Sequence, residues 1–498
     1  MQWETCDARF DSYLRDESRR VGHFDAICFP ADPDQLREAL ADCARDAVPV
    51  TVQGARTGIA GAAVPLGGRV ISTERLTAFR LEGGLLTAQC GARLSDIRAA
   101  ARAARLCFPP DPTEDSAAIG GAFACAASGP NCLRYGDVSR HVEGLSLLLT
   151  DGRRWALRRG EYVFDRTGCP LPGGGRLELS APLPPAGMPR WGFAPTEGLD
   201  LMDLFCGSQG TLAVISEFTL RLAPPPPPAW GLLFFFGEEA SALRFARRLA
   251  ETRQEAVSVE YLDGTTLALI SAARETSSQL AGLPAFPARQ AAAVYTELCL
   301  TPGPGMQAAL MDCLTLFAGC GGRESDTWAA SGEAELARLH LLRHAAAESV
   351  NLRLDRLRQS DPALTKLCAA YQTPLARMEE AAAAYRADLD AAGICGAVFG
   401  HASVGRLHVN LLPERAEQLP AAAALLDRWA GLVRDLGGQA LAENGAGKNR
   451  LDLFRRWAPA GQLAAMAEIK VQLDPAGLLG PGTLPEFHTS NESGGTLL

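Results

Sequence analysis

Gln53-Gly54-Ala55-Arg56-Thr57-Gly58-Ile59-Ala60-Gly61-Ala62-Ala63-Val64-Pro65 spaces its glycines three and four residues apart, between the apolar stretches Pro49-Val50-Thr51-Val52 and Val70-Ile71-Ser72-Thr73. A turn of this composition bares successive N–H groups and forms a concavity that suits a diphosphate. Read alone, it suits a plain tight turn equally well. It is not a Walker A loop, since no Gly-Lys-Ser/Thr closes it, and it does not match the dinucleotide pattern G-x-G-x-x-G. Upstream, Asp32-Pro33 predicts a helix over 34–45, and downstream 94–105 has helical periodicity, so helices and strands alternate.

With 498 residues the chain exceeds one ordinary core, which predicts two or three closely packed domains. Hydrophobic residues at 47% and charged residues at 21% place it among globular enzymes and exclude a disordered chain. No apolar run approaches the ~20 residues that cross a bilayer, and MQWETCDARFDSYLRDESRR lacks an apolar signal core; the expected location is cytoplasmic. The net charge of −9, with basic residues scattered, argues against nucleic acid as a partner. Fourteen cysteines include no C-x-x-C pair, so buried free thiols are expected and an ordinary iron–sulfur cluster is not.

A second small-residue stretch, Ile119 to Gly129, precedes an apolar strand over 145–149, and Ser208 to Ser216 enters another strand. Residues 159–199 are rich in Pro and Gly and read as a solvated surface excursion without chemistry. Five prolines, Pro224 to Pro228, mark a domain boundary. Beyond it, Met378 to Ala392 reads as a helix stopped by Gly393. Ala397-Val398-Phe399 reads as a strand entering Gly400-His401. In the next strand Leu407, Val409 and Leu411 alternate with His408 and Asn410, which puts the last two on one face. A helix over 421–436 ends at Gly437-Gly438, and the return over 439–443 can bring Glu443 beside the histidines. Two imidazoles and a carboxylate suit a divalent first-row metal that receives hydroxyl and carboxylate oxygens. The same residues also suit two satisfied core histidines and a surface glutamate.

Tyr13-Leu14-Arg15-Asp16-Glu17-Ser18, the glycine-rich turn, Phe108-Pro109-Pro110-Asp111-Pro112-Thr113, Ile119-Gly120-Gly121, Ala127-Ser128-Gly129 and Gly207-Ser208-Gln209-Gly210-Thr211-Leu212 occur in the order seen in the FAD-linked oxidases of the vanillyl-alcohol-oxidase superfamily. The chain resembles especially the glycolate oxidase and D-lactate dehydrogenase branch of that superfamily. The likeness continues through Leu342-Arg343-His344, Pro362 to Leu367, Phe399-Gly400-His401 and Leu473-Asp474-Pro475. It implies an α+β fold: a PCMH-type FAD-binding domain of two α+β subdomains over 20–225, after an extension over 1–19, then a C-terminal α+β oxidase cap over 229–487 and a tail over 488–498. It further implies that Gly54, Ala55, Arg56, Thr57, Gly58 and Gly61 wrap the FAD diphosphate. Pro110, Thr113, Gly120, Gly121, Ser128 and Gly129 would line the flavin, with Gly210 and Ile215 meeting it from a third stretch.

By the same resemblance, His401, His408 and Glu443 stand where metal-using relatives have their ligands, for Zn, Mn or Fe. Arg343, Lys366 and Asn410 correspond to groups that hold the carboxylate and hydroxyl of a small 2-hydroxy carboxylate, lactate- or glycolate-like. A planar guanidinium suits that work because it meets a carboxylate in two hydrogen bonds. Hydride would pass to flavin N5, and electrons would go on to an iron–sulfur partner, an electron-transfer flavoprotein or a quinone; a homodimer is also expected. The chain departs from the family at Ala122, Ala126 and Gln209, and in Ala402-Ser403-Val404-Gly405-Arg406-Leu407, which replaces a Gly-Asp-bearing loop. Relatives read Glu-His-Gly, with the histidine proposed as the base, where this chain has Glu443-Asn444-Gly445. Three accounts follow: a metal acidifies the hydroxyl, His344 substitutes, or the substrate is no ordinary 2-hydroxy acid, and an electron-transfer or structural subunit with weakened catalysis or a flavin oxidase of a different alcohol is the alternative function. On the missing-base account, Asn444→His raises 2-hydroxy-acid oxidation about 10²–10⁴-fold in a dye-linked assay. An unchanged rate removes that account.

Overall fold

Asp32 accepts a hydrogen bond from the Gln35 N–H at 2.8 Å, and Pro33 fills the first turn, where no backbone donor is needed. The helix they start runs Pro33–Asp46 in the computed structural model, which describes residues 1–278, 280–283, 285–287, 290–443 and 445–484. Asn444 and the tail over 488–498 therefore lie outside the described residues. The helix buries Leu36, Ala39, Leu40 and Cys43 beside a four-stranded sheet ordered Glu4–Thr5, Ala26–Cys28, Arg69–Ser72, Val50–Gln53, whose last three strands are parallel. The glycine-rich turn connects Val50–Gln53 to Arg69–Ser72. Residues 1–19 pack onto this sheet, with Phe10 buried against Phe24, Ile27 and Val70.

A second sheet is antiparallel throughout, in the order Phe79–Glu82, Leu85–Gln89, Val214–Arg221, Val142–Leu148, Arg154–Arg158. The strand after Ser208 thus inserts at the centre, next to strands far away in sequence. The reading of 159–199 as a solvated excursion is corrected: it holds a ribbon, Gly168–Pro170 with Arg176–Glu178, and buries Phe164, Trp191 and Phe193. Weak periodicity hid that role, because single aromatics separated by turns can fill a core without forming a periodic stripe.

Pro224–Pro228 separate that sheet from an eight-stranded antiparallel one, ordered Thr327–Ser331, Ala229–Phe236, Ala292–Cys299, Ala256–Asp263, Cys395–His401, Arg406–Leu412, Leu367–Gln372, Gln439–Ala440. On one face Val259, Tyr261, Val398 and Val409 join a core with Phe245, Tyr385 and Trp429 from helices Glu239–Thr252, Met378–Ala392 and Leu419–Asp435. On the other, Leu233, Leu262 and Ala293 pack against Leu267, Ile270, Leu342 and Ala345 of helices Gly264–Arg274 and Glu333–Ser360. Gly393 ends its helix in the left-handed region at φ 61°, where its missing Cβ removes the strain.

After Ala440 the chain returns to the first sheets. Val50 donates to the Leu478 carbonyl at 2.8 Å, and the Trp191 N–H donates to Gln462 Oε1 at 2.9 Å. Asp474, buried, anchors this return: it accepts from Thr150 Oγ1 at 2.9 Å, Lys470 Nζ at 2.5 Å and the Leu478 and Leu479 N–H groups at 3.2 and 2.9 Å. Asp474→Ala leaves a buried ammonium without its carboxylate and is expected to cost about 3–5 kcal/mol, read as a lower midpoint in urea unfolding.

Candidate functional site

The convergence begins at Gly54. A Cβ there would stand 3.2 Å from Ala118 Cβ and 4.0 Å from the Gly121 amide, so the turn abuts the short helix Ile119–Ala124. Gln53 braces the turn from below, its Nε2 donating to the Tyr13 carbonyl at 2.8 Å and the Ala63 carbonyl at 2.7 Å. The Arg56 guanidinium lies 4.1 Å from the centre of the Tyr13 ring. The third stretch docks on the second: Gly207 and Gln209 donate to the Phe123 and Ala124 carbonyls at 3.2 and 2.9 Å.

These three stretches, the sheet face that carries Glu260 and His401, and the helix Glu333–Ser360 on that face enclose a cavity of about 1510 Å³, larger than the ~300–1,000 Å³ of ordinary small-ligand pockets. Its wall includes Gly54, Ala55, Arg56, Thr57, Gly58, Thr113, Gly120, Gly121, Gly210 and Ile215. Gly61, Pro110, Ser128 and Gly129 lie beside it. Gly61 sits over Asn449, and the Pro110 carbonyl accepts from Arg98 at 3.0 Å. Gly129, at φ 100°, lets the backbone cross Asp111, whose carbonyl oxygen would be 1.8 Å from a Cβ.

The far wall carries Arg343, Lys366, Asn410, His401, His408 and Glu443. Register explains it. Glu260 pairs with His401, His408 with both Phe399 and Ala370, and Asn410 with Ala397 and Cys368, so these side chains share one sheet face. His401 Nδ1 lies 2.8 and 3.0 Å from the two Glu260 oxygens, which leaves Nε2 facing Glu443 Oε2 at 3.8 Å. His408 Nε2 is 3.2 Å from the same oxygen. One atom from each of His401, His408 and Glu443 lies within 4.8 Å of the others.

Burial alone would raise Glu443, yet the His408 contact and the Arg406 and His401 charges hold it well below the usual carboxylate range. Burial lowers His401, and Glu260 more than reverses that, so its pKa stands above the ordinary value. Arg343 Nη2 donates to Asp111 Oδ2 at 3.4 Å, and Lys366 Nζ donates to Asn351 Oδ1 at 2.9 Å.

Buried polar atoms without a hydrogen-bond partner among the described residues supply a test of fit. Arg56 Nη1 stands at the turn, and Asn410 Nδ2 and Glu443 Oε2 at the far wall. The first suits a diphosphate oxygen, the second a substrate oxygen and the third a metal cation, so the residues fit both FAD and a divalent metal.

Sequence reasoning did not single out Glu260, Arg406 or Tyr295. Glu260 was signalled by standing as a carboxylate inside the largely apolar run over 256–262, whose residues are all buried. Arg406 Nη1 donates to Ser128 Oγ at 2.5 Å and lies 3.7 Å from Glu443 Oε2, while Ser128 Oγ donates to Glu443 Oε1 at 3.2 Å. Tyr295 lines the cavity and donates to Glu297 Oε1 at 2.6 Å. Arg406 lies in the 402–407 stretch that departs from the family's loop, whereas nothing in its local sequence marks Tyr295.

Residues 24–158 match the FAD binding domain family, and residues 230–484 match the C-terminal domain of the FAD linked oxidases. The chain is 28% identical to a D-2-hydroxyglutarate dehydrogenase of Xanthomonas citri pv. viticola, over 98% of this chain and 95% of that one. It is 24% identical to a probable mitochondrial D-lactate dehydrogenase of Danio rerio, covering 97% and 88%, and 26% identical to the glycolate oxidase subunit GlcD of Escherichia coli, covering 94% and 85%. A solved structure of alkyldihydroxyacetonephosphate synthase shares the fold, with a TM-score of 0.64 at 13% identity over 96% of this chain and 82% of that one.

A Cβ at Gly121 would meet no protein atom within 4 Å although the residue lines the cavity, so a larger side chain there projects into the cavity. Gly121→Leu is expected to fold, helped by helix propensity, and to purify nearly colourless. The ratio of flavin to protein absorbance, with a thermal melt of the apoprotein, checks it.

Proposed function

This chain belongs to the FAD-linked oxidases, and from that premise we propose that it oxidises a small 2-hydroxy carboxylate. The observation that carries the reading is the shared cavity: Arg343, Lys366, Asn410 and the His401–His408–Glu443 cluster line the same space as the Gly54–Gly58 turn. Arg343 and Lys366 hold the substrate carboxylate, and Asn410, whose Nδ2 has no partner among the described residues, meets an oxygen of the hydroxy acid. His401, His408 and Glu443 would hold a divalent metal, a Lewis acid for the hydroxyl when bound. FAD, when bound, supplies the acceptor for the substrate's Cα hydride.

Asn444 cannot accept the hydroxyl proton, so that task falls to His344. This imidazole also lines the cavity, and burial and the Arg343 charge lower its pKa, which keeps it neutral and able to accept. Electrons would leave to a separate iron–sulfur, flavoprotein or quinone acceptor, the chain working in the cytoplasm as a homodimer. Among the described residues no helix is long and apolar enough to cross a membrane.

Asn444 also favours a second reading, a flavoprotein subunit that transfers electrons with little catalysis of its own. Lactate, glycolate and 2-hydroxyglutarate in a dye-linked assay separate the two; failure of all three to bleach the flavin sinks the dehydrogenase reading. Arg343→Ala removes charge-assisted bonds of about 1.5–3 kcal/mol, so KM for the accepted hydroxy acid is expected to rise roughly 10–100-fold. Flavin content should stay unchanged.

A further inference from the structure

Beside Glu443, and outside the residues that line the cavity, stands a second cation. Arg406 lies on the strand Arg406–Leu412, two residues before His408, and is buried to 12% side-chain exposure. Its guanidinium is held at several points. Nη1 donates to Ser128 Oγ at 2.5 Å, and Nη2 and Nε donate to Gln372 Oε1 at 3.0 and 3.3 Å. Nη1 then lies 3.7 Å from Glu443 Oε2, the oxygen that His401 and His408 also face. Ser128, from the first half of the chain, ties the pair together by donating to Glu443 Oε1 at 3.2 Å.

We propose that Arg406 is a built-in counter-cation for Glu443 that competes with a divalent metal for this carboxylate, so that the cluster binds metal weakly and keeps its shape without it. The inference rests on the reading of His401, His408 and Glu443 as a metal site.

The reasoning is electrostatic and geometric. A buried carboxylate needs a cation close by. In this chain Arg406 already supplies one, and a guanidinium cannot lose its charge by deprotonation. A metal bound to Glu443 Oε2 at a ligand distance of about 2 Å would stand within about 6 Å of Arg406 Nη1. At that range, in a buried site, like charges repel strongly, and water screens little. Arg406 cannot swing clear cheaply, because leaving would break three hydrogen bonds, one to the buried Ser128 hydroxyl and two to the half-buried Gln372 Oε1. A neutral side chain at 406 would leave Glu443 with the Ser128 hydroxyl and two imidazoles but no fixed cation, and that charge would then favour a divalent ion.

The test uses the FAD-loaded full chain, stripped with a chelator and titrated with ZnCl₂ by calorimetry. Arg406→Gln is expected to bind Zn²⁺ at least about tenfold tighter than the parent protein. Arg406→Lys keeps the charge and should stay weak. Adding His408→Ala to Arg406→Gln should abolish the gain, which places the binding at this cluster. Should Arg406→Gln lose its flavin or fold, Gln372→Ala, which frees one tether of the guanidinium, should give a smaller tightening in the same direction. Equal or weaker Zn²⁺ binding by Arg406→Gln overturns the role of Arg406 and leaves the metal site standing. A titration that His408→Ala leaves unaltered in every background overturns both.

Discussion

Backbone has to touch backbone where the first and last thirds of this chain meet. The Ala60 carbonyl, in the glycine-rich turn, accepts from the Lys448 and Asn449 N–H groups at 3.0 and 3.1 Å. A Cβ on Gly447 would lie 2.1 Å from that same oxygen. The Gly447 N–H donates in turn to Gln209 Oε1 at 2.7 Å, and Gln209 holds the left-handed region at φ 53° to make this reach. Glu443 stands a few residues before these contacts. The glycine-rich turn on one wall of the cavity is therefore tied to the segment that carries Glu443 on the other. A bulkier residue at 447 would displace both.

Much of this was legible because it is local chemistry. Glycine spacing and the flanking strands marked the turn, and alternation of Leu407, Val409 and Leu411 with His408 and Asn410 assigned the faces correctly. Helix ends followed their caps, with the helix expected over 34–45 found at Pro33–Asp46 and the one expected over 421–436 at Leu419–Asp435. What stayed hidden depends on which strands neighbour which. The pairing of Ala256–Asp263 with Cys395–His401 delivers Glu260 to His401, and no local pattern encodes a pairing between residues so far apart. Residues 159–199 stayed hidden for a related reason, since three isolated aromatics carry no period.

The two arginines of the far wall show how surroundings divide one side chain between two tasks. Arg343 has a long 3.4 Å contact to Asp111, itself about one-third exposed, and its fork faces the cavity. A contact of that length is easily exchanged for a bidentate pair with an incoming carboxylate. Arg406 is the reverse case: its donors are taken by Ser128 and Gln372, and it is not among the residues that line the cavity. Holding Arg343 loosely keeps a binding group available, whereas holding Arg406 tightly fixes a charge.

That division bears on the loop over 402–407 and on Asn444 together. Where relatives carry a Gly-Asp-bearing loop and a base histidine, this chain has the turn Ala402–Val404, the left-handed Gly405 at φ 70° and then Arg406. Two of these differences move charge in one direction, since an acidic group is absent from the loop and a fixed cation stands 3.7 Å from Glu443 Oε2; the third leaves position 444 without a titratable group. The effect is a wall whose carboxylate is neutralised from within the protein instead of by whatever enters the cavity. A reacting hydroxyl on such a wall gains less acidification than one beside a bare divalent ion, so the demand on a protein base grows. On the proposed reading, the His344 imidazole, its pKa lowered by burial and by the Arg343 charge, is the group that answers this demand.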